Sequence, residues 1–129
     1  MRFIFIFLFS VFLSIPVFAV DTDQDGFSDE EEARIGSNSM QADTDGDGYA
    51  DYAEVRRGYS PLAKEKRKMR DIDTDSDGLM DDVEYRLGTS LVLADTDADN
   101  FTDAQEVAAG FDPLSDSKEA KKDKKIRVN

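Results

Sequence analysis

The stretch Asp43-Thr44-Asp45-Gly46-Asp47-Gly48-Tyr49-Ala50-Asp51-Tyr52-Ala53-Glu54 decides how the chain is read. Numbered as a twelve-residue loop, it puts Asp at positions 1, 3, 5 and 9, Gly at 6 and Glu at 12. Alternate short carboxylates on a tightly curling backbone can all point at one centre. Gly48 supplies a sharp bend that other residues resist, and Glu54, on the helix that follows, can close the cage with both oxygens. The position-7 residue, Tyr49, is expected to add its backbone carbonyl. An all-oxygen cage of this kind suits a hard divalent cation, and its flexibility favours Ca²⁺ over Mg²⁺.

Three more copies keep the spacing. The first offers Asp21, Asp23, Asp25, the Phe27 carbonyl, Asp29 and Glu32. The third offers Asp73, Asp75, Asp77, the Leu79 carbonyl, Asp81 and Glu84. The fourth offers Asp95, Asp97, Asp99, the Phe101 carbonyl, Asp103 and Glu106. Together with Asp43, Asp45, Asp47, Tyr49, Asp51 and Glu54 these are the candidate metal ligands. Only the fourth copy departs, with Asn100 at position 6; Asn is among the non-glycine residues most tolerant of positive φ, so the bend should survive with some strain. An acidic low-complexity chain would share the composition but would not hold the glycine and glutamate in register.

Length and composition bound the rest. The 129 residues make one small domain's worth, with no Cys and no His. Disulfides, thiol chemistry, a histidine base and the commonest transition-metal sites are thereby excluded. Residues 1–19 read as a secretory signal: Met1-Arg2, an apolar run from Phe3 to Leu13 broken by Ser10, then Pro16 and the small-residue site Val17-Phe18-Ala19. The alternative is an uncleaved anchor, although the run is short for a bilayer span. No span is expected in the mature chain. Without that segment, which holds Arg2 and no acid, 15 basic residues face 29 acidic ones, a net charge of −14. Five carboxylates in each of four loops account for 20 of the 29. The loops should repel themselves apart without a counter-ion. Only Phe27, Phe101 and Phe111 remain of nine Phe, too little for a conventional core.

Loops start at 21, 43, 73 and 95, so spacings of 22, 30 and 22 make a duplicated pair. The expected division is a signal over 1–19, a first pair of repeats over 20–63, a basic linker over 64–72, a second pair over 73–116 and a basic disordered tail over 117–129. Each loop should be followed by a short helix, roughly Asp29–Ile35, Asp51–Arg57, Asp81–Leu87 and Asp103–Ala109. Each helix should end at a left-handed glycine: Gly36, Gly58, Gly88 or Gly110. Helices this short do not hold alone in water. A thin line of core is expected from loop position 7, from Ala33, Val55, Tyr85 and Val107 at position 13, and from Met40, Leu62, Val92 and Leu114 in the connectors. The fold class is therefore small, all-α and irregular: tandem calcium-binding loops, each with a short helix, and little hydrophobic core.

The D-x-D-x-D-G-x-x-D-x-x-E pattern with Gly58-Tyr59-Ser60-Pro61-Leu62 and Gly110-Phe111-Asp112-Pro113-Leu114 connectors resembles thrombospondin type 3 repeats, in the cysteine-free form of bacterial secreted and surface proteins. The resemblance covers residues 21–116. It implies extracellular modules that wrap around calcium ions, with the acids at positions 1, 3, 5, 9 and 12 as ligands or near-ligands. Position 9 would bind through a water or help hold a second ion. Animal members carry cysteines and often Asp at position 12, which this chain lacks. EF-hands use similar loops, but with an entering helix and a branched apolar position 8; here that position is Ser28, Ala50, Met80 and Thr102.

The reading is a secreted, periplasmic or cell-surface calcium-binding repeat protein, not an enzyme, with a structural, spacer or adhesive role. Its partners are calcium ions and a cell-surface or extracellular protein; nucleic acid is not among them, since the basic segments lack interleaved aromatics. The rivals are a dockerin-like docking module, weakened by the variation at positions 10 and 11, and an EF-hand-type sensor or buffer.

Overall fold

A computed structural model describes residues 19–115. The signal, apart from Ala19, and the tail lie outside them. Four short α-helices follow one another: α1 (Asp29–Ile35), α2 (Asp51–Val55), α3 (Asp81–Leu87) and α4 (Asp103–Ala109), with one 3₁₀ turn, Met69–Asp71, before α3. Among the described residues there is no strand beyond a single Tyr59–Lys68 antiparallel bridge. No helix there is long and apolar enough to cross a membrane.

Each helix begins at position 9 of its loop, and the same two backbone closures recur in all four copies. The position-9 N–H donates to the carbonyl just before the loop: Asp29 to Val20, Asp51 to Ala42, Asp81 to Ile72 and Asp103 to Ala94, at 2.8–3.0 Å. The residue after the glycine donates to the carbonyl of the position-12 glutamate: Ser37 to Glu32, Tyr59 to Glu54, Thr89 to Glu84 and Phe111 to Glu106. This second bond is the six-to-one closure of a left-handed helix stop. Ser28 and Thr102 add reciprocal capping boxes with Glu31 and Gln105 at the starts of α1 and α4.

The second helix is shorter than its spacing suggests. It stops at Val55, Arg56 stays right-handed, and Arg57 and Gly58 donate to carbonyls three residues back, a tightened last turn. Gly58 still takes φ +77°. Beyond it the chain goes straight into the Tyr59–Lys68 bridge, reinforced by Ser60 N–H to the Arg67 carbonyl and Met69 N–H to the Gly58 carbonyl. The basic stretch is thus folded back on the first pair. Lys66 Nζ lies 4.0 Å from the centroid of the Tyr49 ring, and Lys68 Nζ 4.9 Å from that of Tyr59.

The core follows the expected line at Phe27, Val55 and Tyr85 and departs from it elsewhere. It consists of Phe27, Ile35, Val55, Met69 and Leu91, with Tyr52 and Tyr85 packed against it. Of the four position-7 side chains only Phe27 is fully buried, under the edge of Tyr52 at 5.1 Å; Tyr49 and Phe101 are 41% and 43% exposed, and Met40 is 79% exposed. The reason is pairing: the second repeat of a pair covers the first, so equivalent positions are not equally covered. Met69, from the basic stretch, and Leu91 fill the centre instead. Leu91 N–H and Ser90 Oγ both donate to the Arg34 carbonyl, the Arg34 guanidinium donates to the Thr89 carbonyl, and it lies 5.3 Å from the Tyr85 ring centroid. These bonds join the second pair to the end of α1. Gly36 there takes φ +85°, and a Cβ on it would stand 2.6 Å from Val92 Cγ1, so the junction needs glycine for both reasons.

Met69→Ala should therefore cost about 2–5 kcal/mol, while Met40→Ala should stay within about 0.5 kcal/mol. Thermal unfolding in millimolar calcium compares the two. Equal losses would contradict this assignment of the core.

Candidate metal centres

In each loop the aspartates at positions 1, 3 and 5 converge. Asp21, Asp23 and Asp25 each place a carboxylate oxygen within 4.8 Å of the others, as do Asp43, Asp45 and Asp47, then Asp73, Asp75 and Asp77, then Asp95, Asp97 and Asp99. Backbone N–H groups hold them there. The position-6 amide donates to position 1, from Gly26, Gly48, Gly78 and Asn100. The position-5 amide donates to position 3, and the position-7 amide of Phe27, Tyr49, Leu79 or Phe101 donates to position 5 at 2.7–2.9 Å. The backbone thus turns around the carboxylates and aims them at one centre. Only the N–H of each position-7 residue has a role in these bonds; its carbonyl was the expected ligand.

The curl requires left-handed backbone at two positions. Position 6 takes φ of +112°, +96° and +111° at Gly26, Gly48 and Gly78, and +76° at Asn100. Asn100 keeps the bend by moving toward the left-handed region that Asn tolerates. Position 4 is left-handed too, at Gln24, Gly46, Ser76 and Ala98, with φ between +63° and +74°. The fourth loop alone has a Cβ at both places.

The position-12 glutamates close the site from the helices. Glu32 and Glu84 are wholly buried, and Glu54 and Glu106 are 4% and 5% exposed. Oε2 of Glu32, Glu54 and Glu106, and both carboxylate oxygens of Glu84, are buried without a hydrogen-bond partner, as are Oδ2 of Asp23, Asp45 and Asp75. Buried carboxylates in that state are costly, and the cost shows in their protonation. Burial, then the neighbouring loop aspartates, pushes Glu32, Glu54 and Glu106 up to about 7 and Glu84 up to about 8. A divalent cation would offset both causes. Oxygen-only donors, several anionic and several orphaned, fit a hard cation such as Ca²⁺.

The position-9 aspartates are engaged differently. Asp29, Asp51, Asp81 and Asp103 each accept on both oxygens from the position-2 threonine, one bond from its N–H and one from its hydroxyl, at 2.6–3.0 Å. Asp51, Asp81 and Asp103 are fully buried, which raises their pKa, and the threonine bonds oppose the shift. The clamp ties the start of each loop to the start of its helix. Thr22, Thr44, Thr74 and Thr96 were overlooked in the sequence reading, although the Asp-Thr-Asp opening of every copy signalled them. The left-handed position 4 had no such signal, since four different residue types occupy it.

Three stretches of the chain match the family model described as bacterial TSP3 repeat: residues 21–42, 43–58 and 95–116. The third loop, 73–84, is outside those matches but makes the same closures and the same threonine clamp. No curated protein and no solved structure matches the chain.

Two outcomes follow from the geometry. Asn100→Gly should tighten the fourth loop by about 1 kcal/mol, several-fold in affinity, as strain at a Cβ-bearing position is relieved. Calcium titration followed at the residue-100 amide by NMR reads it; weaker binding would contradict the strain argument. Calcium affinity should also fall as pH drops from 8 to 6. Each glutamate raised to about 7 or 8 holds a proton below that pH, which the ion must displace, at up to about tenfold per pH unit per group. In chelator the same protonation favours compact states at low pH, a contribution lost as pH rises from the ordinary 4.5 of a glutamate through 7–8. Calorimetry at pH 6, 7 and 8 tests the first trend, and pH-independent affinity would contradict it.

Proposed function

We propose that this chain, three stretches of which match the bacterial TSP3 repeat, is an exported protein folded around Ca²⁺, serving outside the cell as a structural, spacer or adhesive module. The observation that carries this reading is the repeated site: three convergent aspartates facing a buried glutamate with unpartnered oxygens, in all four loops. The aspartates at positions 1, 3 and 5 and the glutamate at 12 would hold the ion, with the position-7 carbonyl contributing. The ion would supply charge neutralisation and cross-linking of loop to helix.

The surroundings support a module over a sensor. Among the described residues no α-helix leads into any loop; the third is preceded by one 3₁₀ turn. Positions 10 of the second and fourth loops, Tyr52 and Ala104, lie against the preceding repeat and are half-buried, so a dockerin-like recognition face built there would be partly covered. The reading includes no catalysis, because the raised glutamates lie among the carboxylates that an ion would neutralise.

Calorimetry together with native mass spectrometry of the mature chain tests this. Uptake of one Ca²⁺ per loop or more, with dissociation constants of about 10⁻⁴–10⁻³ M, is expected of an extracellular module. Glu84→Gln should remove one site. Nanomolar affinity at every site would contradict the extracellular placement, and no uptake would contradict the function.

A further inference from the structure

We infer that residues 116–121, just after the fourth repeat, fold back onto its loop and seat Lys118 over the Phe101 ring, as residues 64–69 fold back onto the second repeat and seat Lys66 over Tyr49. The chain's own duplication points there. Loops two and four start 52 residues apart, as do loops one and three. At that offset Gly58-Tyr59-Ser60-Pro61-Leu62 becomes Gly110-Phe111-Asp112-Pro113-Leu114, Tyr49 becomes Phe101 and Lys66 becomes Lys118.

The two connectors keep the same path through Leu114. Gly58 and Gly110 take φ of +77° and +81°. The Tyr59 and Phe111 amides both donate to the position-12 carbonyl of their own helix. The Leu62 and Leu114 amides donate to the side chain two residues back, Ser60 Oγ and Asp112 Oδ1. Pro61 and Pro113 are both buried. A Cβ on Gly36 would meet Leu62 Cδ1 at 3.4 Å, and one on Gly88, its equivalent, would meet Leu114 Cδ1 at 3.6 Å. Both connectors therefore set out on the same course.

The first leads into the backward turn that holds Lys66 against Tyr49 and within the attraction of Asp47. The second leads toward a mostly apolar groove of about 410 Å³, lined by Phe101, Gln105, Ala109 and Phe111, with Asp99 and Glu106 alongside. Asp99 is the equivalent of Asp47. The ring and the carboxylate that attract Lys66 thus have counterparts for Lys118. The apolar walls suit a lysine stem and the ring face suits its ammonium. Charge favours the same occupant: from Lys118 to Arg127 six residues are basic and two acidic, beside a loop with five carboxylates. Ala120 and Lys121 replace Lys68 and Met69, so this fold-back has no equivalent of the buried methionine and is the weaker of the two. Seated there, the segment caps the fourth repeat.

NMR on the full mature chain in millimolar calcium tests this. Nuclear Overhauser contacts are expected between the Lys118 side chain and the Phe101 ring, independent of protein concentration. The Lys121 amide should exchange about fivefold more slowly than its intrinsic rate, the effect of one hydrogen bond to the Gly110 carbonyl like that of Met69 to Gly58. Lys118→Ala should reduce that protection about two- to fivefold, the worth of an exposed contact between cation and ring. Lys124→Ala should leave it unchanged. Absence of the Lys118–Phe101 contacts would overturn the proposal. An equal effect of the two variants would overturn it too, since diffuse attraction of basic charge gives that result. Contacts to Phe101 that grow with concentration would overturn it in favour of a second copy in the groove.

Discussion

Carboxylate repulsion governs this molecule. Twenty acids are gathered into four small loops, and each loop aims at least three of them at one point. Around them the core cluster among the described residues holds only five buried side chains, with Pro61 and Pro113 buried besides. Hydrophobic burial on that scale offsets little of the ordering entropy of a chain this long. A cation at each centre reverses the sign of the largest electrostatic contribution, from a force that opens the loops to one that closes them. The buried, unpartnered glutamate oxygens and their raised protonation mark where that opposition concentrates.

The backbone prepares the loops. Amides at positions 5, 6 and 7 each donate to a cage aspartate, so the carboxylates are oriented by the same turn that brings them together. Position 12 has two duties: its side chain faces the site, and its carbonyl accepts the closing bond of the helix stop. Position 9 has two as well, accepting from the threonine on its side chain and donating from its amide to the residue before the loop. Loop and helix therefore form together.

The local geometry was legible in the sequence because it depends on short-range residue chemistry. Asp at alternate positions, glycine at the bend and glutamate on the helix have one plausible joint use, and their spacing located every helix start. The shorter α2 was not legible, since it ends early to meet a bridge with Lys68, a partner nine residues beyond Tyr59. The core was read correctly at Phe27, Val55 and Tyr85 and missed elsewhere for a related reason. A repeat-by-repeat alignment treats Phe27, Tyr49, Leu79 and Phe101 as equivalent, whereas stacking buries Phe27 under Tyr52 and leaves Tyr49 and Phe101 exposed. Met69 sits among five basic residues, so nothing local marks it as central. The position-2 threonines stood in plain view in all four copies, but their use depends on the fold of the loop around position 9.

The central claim is that the ion holds the fold. Small-angle scattering of the mature chain, in chelator and then in millimolar calcium, tests it most directly. The account predicts a radius of gyration that falls from near the roughly 30 Å of an unfolded hundred-residue chain toward the roughly 13 Å of a compact one. An equally compact chain in chelator would contradict it.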